Sequence, residues 1–178
     1  MLLKIIFLFF FILFLFLMEI SLPAFLEISF IFVFTIVFMI KIGKDEESLR
    51  RGMKHVFFIV LAGGILLDCY SIFPPGTFIL SLLFSRHLAK IFLLKFNTNK
   101  PLSILIFGFL ISFIYHLLVS VFAFSLSLFF PPVFKIYFNG FYWLDIFRSV
   151  WWDGLLISFF SWGLRIIRAK RSLIRNNF

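Results

Sequence analysis

Six long apolar runs constrain this chain more than any other feature, because a soluble core has no use for so many segments of that length. The first extends over Ile5–Met18 and the longest over Leu102–Leu128, neither interrupted by an acidic residue. Lipid offers no partner to an open backbone N–H or C=O, so a run that enters it must be helical. Crossing a hydrocarbon core about 30 Å thick takes roughly 20 apolar residues. With 63% of its residues hydrophobic and 14% charged, the chain belongs to the membrane class.

The runs predict helices over residues 5–18, 25–40, 55–72, 77–96, 102–128 and 146–167. The expected fold is all-α: a polytopic membrane helix bundle of about six transmembrane helices, forming one domain over residues 1–178. The breaks are chemically plain. Ser21-Leu22-Pro23 parts the first two runs, the charged stretch Lys41–Lys54 the next two, and Phe73-Pro74-Pro75-Gly76 makes a tight turn. Pro131-Pro132 ends the fifth helix, and Val133–Leu144, carrying Tyr137, Tyr142 and Trp143, is expected to lie along the membrane surface. Lys4, the apolar run and Ser21–Ala24 imitate a signal peptide, but Pro23 and Glu27 make a poor cleavage site, so the segment is expected to be retained. The 32 Phe residues occur in every run and read as lipid-facing bulk.

The net charge of +9 would point to nucleic acid in a soluble protein. Here the basic residues stand at segment ends, as topology signals do, and no nucleic-acid partner is expected. With six passes and both termini cytoplasmic, the inner side collects Lys4, the five basic residues of Lys41–Lys54, Lys95, Lys100 and the basic C-terminal stretch. That is 13 of the 17 basic residues, whereas the outer side receives only Lys135 and Arg148.

Small and polar residues four apart mark the faces on which helices approach one another in lipid. The fourth helix carries Thr77, Ser81, Ser85 and Ala89 in such a stripe, the fifth Gly108, Ser112, His116 and Ser120. The third offers Gly64 and Asp68, the sixth Asp153, Gly154 and Ser158. The first helix has no stripe, which places the bundle centre at helices three to six and leaves the first helix peripheral or facing a partner. Counting about 1.5 Å per residue sets Asp68, His116, Asp153 and Arg86 roughly 8, 9, 12 and 15 Å below the outer boundary, depths compatible with one shared layer. Charges at mid-membrane need partners, and Asp68 is expected to pair with Arg86 or His116. The layer reads either as polar glue between helices or as the lining of a substrate or proton path. Lys90 is expected to snorkel to the cytoplasmic side, with His55 and His87 as boundary residues.

Catalytic motifs are not found. Asp68 and Asp153 lack the Tyr-Asp and Gly-x-Gly-Asp contexts of intramembrane aspartyl proteases, and Gly43-Lys44 lacks the upstream glycine of a phosphate loop. One cysteine, Cys69, excludes an internal disulfide, and no Cys/His spacing suggests a metal or any other cofactor. The basic end, Arg165, Arg168, Arg171 and Arg175, suits anionic lipid headgroups or a cytoplasmic protein, or anchors topology.

The stretch GGILLDCYSIFPPGTFILSLLFSRHLAKIF, Gly63–Phe92, resembles the signature of the rod shape-determining protein MreD family at Gly64, Asp68, a turn proline, Gly76 and Leu80. It departs from the family pattern at Cys69-Tyr70 and Ile72-Phe73. The last helix is also similar to that family's ending, with Asp153, Leu155, Leu156 and a basic tail from Arg165. The resemblance implies a non-enzymatic subunit of the cell-elongation machinery in the bacterial inner membrane, binding MreC and helping organise MreB filaments and the peptidoglycan polymerase pair. Six helices also suit the substrate-binding subunit of a vitamin-type transporter, which would open an outward cavity near Asp68, His116 and Asp153. The charge distribution makes a direct prediction: reporter fusions after Ser48, Thr98 and Phe178 should all read cytoplasmic, and an external signal at any one breaks the six-pass topology.

Overall fold

A computed structural model describes residues 2–21, 29–42, 46–96, 100–129 and 140–176, with side chains over 10–21, 29–42, 54–96, 100–129 and 143–167. All regular structure among them is helical: α1 (Leu2–Ser21), α2 (Phe30–Ile42), α3 (Glu46–Tyr70), α4 (Thr77–Lys95), α5 (Pro101–Ser127) and α6 (Gly140–Asn176). Three stretches are long and apolar enough to cross a membrane: Thr77–Lys95, Pro101–Ser127 and Trp143–Ile167 within α6. The fold is therefore an all-helical membrane bundle.

α3 and α6 extend beyond their expected ranges. α3 begins at Glu46, inside the stretch read as a charged loop, because Glu46 and Glu47 in its first turn complement the partial positive charge of a helix start. α6 is longer than expected at both ends. It takes in residues 140–144, which had been assigned to the surface segment, and it runs on through the basic tail. At about 1.5 Å per residue its 37 residues rise roughly 55 Å, well beyond a hydrocarbon core. The expected breaks at Leu22-Pro23 and Pro131-Pro132, Glu27, and the surface segment before Gly140 lie outside the described residues, as do the side chains of Arg168, Arg171 and Arg175.

The bundle centre is α2, not helices three to six alone. It packs against α1, α3, α4 and α6, and reaches α5 through Phe32, whose ring stacks on Tyr115 with centroids 4.2 Å apart. Eight of its 13 residues are buried, and none of the exposed large hydrophobic residues belongs to it. Its half-buried residues, Phe30, Phe34, Phe38 and Ile42, form one row as apolar as the buried faces, so no polar stripe marks which side is enclosed. Thr35 fits there because its hydroxyl donates to the Ile31 carbonyl at 2.7 Å, satisfying itself within its own helix. α1 sits at the edge, touching α2 and α3.

Glycines set how closely these helices approach. A Cβ on Gly63 would meet the Ile31 side chain at 2.6 Å, and one on Gly64 would meet the Ile79 Cα at 2.9 Å. Between α5 and α6, a Cβ on Gly108 would lie 3.0 Å from the Gly154 carbonyl oxygen, and one on Gly154 2.7 Å from the Phe109 ring. Outside this packing, Phe10, Phe58, Ile106, Phe124, Phe147 and Phe159 are each more than half exposed or close to it, an outward apolar surface that water would not tolerate and lipid does.

Gly64→Ala should destabilise the bundle by about 1–3 kcal/mol, since the obstructing Ile79 atom is backbone and cannot swing aside. Gly163→Ala, where nothing lies within 4 Å, should be neutral or stabilising by up to about 1 kcal/mol. Thermal unfolding in detergent compares the two, and equal midpoints would contradict the close α3–α4 contact.

Candidate functional site: two carboxylate-capped helix starts

A helix start leaves its first backbone N–H groups without intrahelical partners and carries about half a positive charge. Two such starts, that of α2 within the bundle and that of α4 at the partly exposed turn after α3, are answered by carboxylates from other helices.

The first belongs to the α3–α4 hairpin. Gly76, in left-handed conformation (φ 96°), precedes α4 and has no side chain with which to cap it. Asp68, near the end of α3, supplies the cap instead. Its Oδ1 accepts from Phe78 N–H at 2.8 Å and its Oδ2 from Ile79 N–H at 3.3 Å. Gly64 stands one turn earlier on the same face and removes the Cβ that would hold Ile79 away. Thr77 closes the turn, its hydroxyl donating to the Pro74 carbonyl at 2.7 Å. Gly64, Asp68, the turn prolines and Gly76 thus serve one purpose: a tight hairpin whose second helix is capped by its first.

The second start is that of α2. Asp153 on α6 has a fully enclosed carboxylate, whose Oδ1 accepts from Ser29 N–H at 2.9 Å and whose Oδ2 lies 3.0 Å from His116 Nε2 on α5. From the other side, Glu19 on α1 accepts from Ile31 N–H through Oε2 at 3.3 Å. Four helices therefore converge on this point. The Tyr115 hydroxyl is fully buried beside Ser29, Glu19 and Asp153. Protonated His116 would add a full positive charge to that of the helix start, against the two carboxylates.

These contacts correct the expected pairing. Asp68 pairs with neither Arg86 nor His116; its two oxygens meet the backbone of α4, His116 meets Asp153, and the Arg86 guanidinium lies 5.4 Å from the centre of the Phe57 ring. Nor do Asp68 and His116 share a layer. Gly76 lies level with Leu126 of α5, 3.6 Å being the distance from a Cβ built there to Leu126 Cδ1. His116 is ten residues from Leu126, roughly 15 Å deeper along the helix. The expected depth of roughly 9 Å follows from counting inward from Leu102 through a core about 30 Å thick, whereas α5 is about 40 Å long. Asp68 and Asp153 consequently stand at different levels, and the paired carboxylates of aspartyl-protease chemistry are not assembled.

The stripes of small residues do lie inward. Thr77, Ser81, Ser85, Ala89, Gly108, Ser112 and Ser120 are all buried. Ser81 and Ser158 donate to the carbonyl four residues earlier, so they pack as small residues. Among the described residues no group of three His, Cys, Asp or Glu side chains could hold a metal ion, and Cys69 is free and exposed. Arg165 is half-buried on the last part of α6 described with side chains. Sequence reasoning missed Glu19, Ser29 and Tyr115. Glu19 carried a usable signal, a carboxylate directly after an apolar run; Ser29 meets Asp153 through its backbone N–H, which no residue type announces.

Asp68→Leu leaves two donors at the α4 start unanswered, at about 1–3 kcal/mol each where buried, and should lower the yield of folded protein. A double-mutant cycle on His116→Ala and Asp153→Ala should give a coupling of about 0.5–3 kcal/mol, and one on His116→Ala and Asp68→Ala no more than about 0.5 kcal/mol. Coupling found in the second cycle instead of the first would restore the pairing the sequence suggested.

Comparison of the chain with protein-family models, with curated proteins and with solved structures finds no match in any of the three.

Proposed function

We propose that this protein is a non-enzymatic membrane subunit of the bacterial cell-elongation machinery, an MreD-like scaffold in the inner membrane. It binds an MreC-like partner and helps position peptidoglycan synthesis beside MreB filaments and the polymerase pair. The observation that carries the reading is where the buried charges go. Asp68 and Asp153, the acidic residues most suited to chemistry, have both oxygens engaged by backbone or by His116, holding helices together. The Gly64–Asp68–Gly76 resemblance acquires a physical sense from the same contacts, since those residues build one capped hairpin. With its polar groups turned inward and apolar side chains outward, such a subunit meets partners through helix faces within the bilayer and basic segments beneath it.

A second reading, the substrate-binding membrane subunit of a small-molecule transporter, draws on one observation. α2 rises only about 20 Å and begins inside the bundle beside Glu19, His116 and Asp153, as the interrupted helices of transporters do. Gentle detergent extraction and affinity isolation of the full chain decide between them. The scaffold reading expects a single-pass MreC-like protein in stoichiometric amount. An energising ATPase in its place would overturn it.

A further inference from the structure

Between the first turns of α5 and the second half of α6 lies a groove of about 390 Å³, open to the side of the bundle. Its walls are Leu102 and Leu105 on α5 and Leu155, Phe159 and Trp162 on α6, with Ser158 the polar residue among them. The Ser158 hydroxyl already donates to the Gly154 carbonyl at 2.8 Å, so the floor asks for no hydrogen-bonding ligand. Leu102, Phe159 and Trp162 are each more than half exposed at the rim. What fits such a wall from the bilayer side is hydrocarbon.

The charge stands at one end only. Lys100, exposed, directly precedes the Pro101 that closes the groove, and Arg165 follows Trp162 by one helical turn. The chain end of α4 adds Lys95 close by in sequence, and α6 continues past the groove as a basic helix. From Leu155 to Trp162 the α6 wall descends about 10 Å, the reach of the upper part of an acyl chain from its headgroup and too short a seam for a whole crossing helix. Cations at the mouth of an apolar slot complement an anionic headgroup above a buried tail.

We propose that this groove is a binding site for one anionic phospholipid, its acyl chain between Leu105 and Phe159 and its phosphate between Lys100 and Arg165. The site does not depend on the scaffold reading, only on the chain lying in a bilayer. It gives the basic end a defined ligand where the sequence offered a diffuse one.

The test uses the full chain in detergent, equilibrated with phosphatidylglycerol and phosphatidylcholine of matched acyl chains, with retained lipid counted by native mass spectrometry. Two near-surface basic side chains predict roughly a thirtyfold preference for phosphatidylglycerol. Lys100→Gln with Arg165→Gln should bring the two lipids to parity while lipid is still retained. Leu105→Trp, filling the groove with both cations intact, should abolish retention of either; Leu102→Trp at the exposed rim repeats that arm if the buried substitution lowers the melting temperature. Equal retention of the two lipids by the unaltered protein would overturn the proposal. So would retention that survives both tryptophan variants, since the lipid would then be held by surface charge alone, or a photo-crosslinker at position 159 that captures a polypeptide in native membranes instead of lipid.

Discussion

A helix that begins inside an apolar bundle has nowhere to send its first N–H groups, and α2 begins in that way, beside the fully enclosed carboxylate of Asp153. Everything else in this protein is arranged around that requirement. Asp68 reaches across a hairpin to close the α4 start; Asp153 and Glu19 reach from opposite sides to close that of α2. Each contact serves two needs together. The carboxylate gains donors and a partial positive charge in place of the water it lost, and the helix start gains acceptors, so two buried liabilities cancel.

Caps of this kind work only if the helices approach closely, which is why the glycines sit where they do. Gly64 brings α4 within reach of Asp68, and the Gly108–Gly154 contact draws α5 and α6 together next to the residue that caps α2. Polar chemistry and steric fit are therefore one design in this bundle. The same economy explains Thr35, Ser81 and Ser158, which bond to carbonyls of their own helices and contribute smallness.

This arrangement bears on function through what it leaves for the outside. With its strongest polar groups engaged internally, the bundle offers its environment apolar helix faces, a lateral groove, and a concentration of basic residues at one end. Such a surface suits assembly with other membrane components and with lipid. The hairpin at Gly63–Phe92 is the part of the chain where resemblance and geometry meet, and there the geometry supplies the reason for the pattern.

Much of the architecture was legible in the residues because its causes are local. Apolar run length compels helices in lipid, proline and glycine at 74–76 compel a turn, and four-residue spacing of small side chains marks the faces turned inward. What the residues alone left open were the partners of the charged groups, the depth of each, and the central place of α2. Pairing depends on how helices far apart in the chain are rotated and staggered, so Asp68 was assigned to side chains when its partners were backbone N–H groups that every sequence possesses. Depth depends on where each helix enters, and a 40 Å helix cannot be measured against a 30 Å core without knowing its offset. A helix apolar on every side shows no amphipathic stripe, so only the packing of the others around α2 could reveal it as the centre.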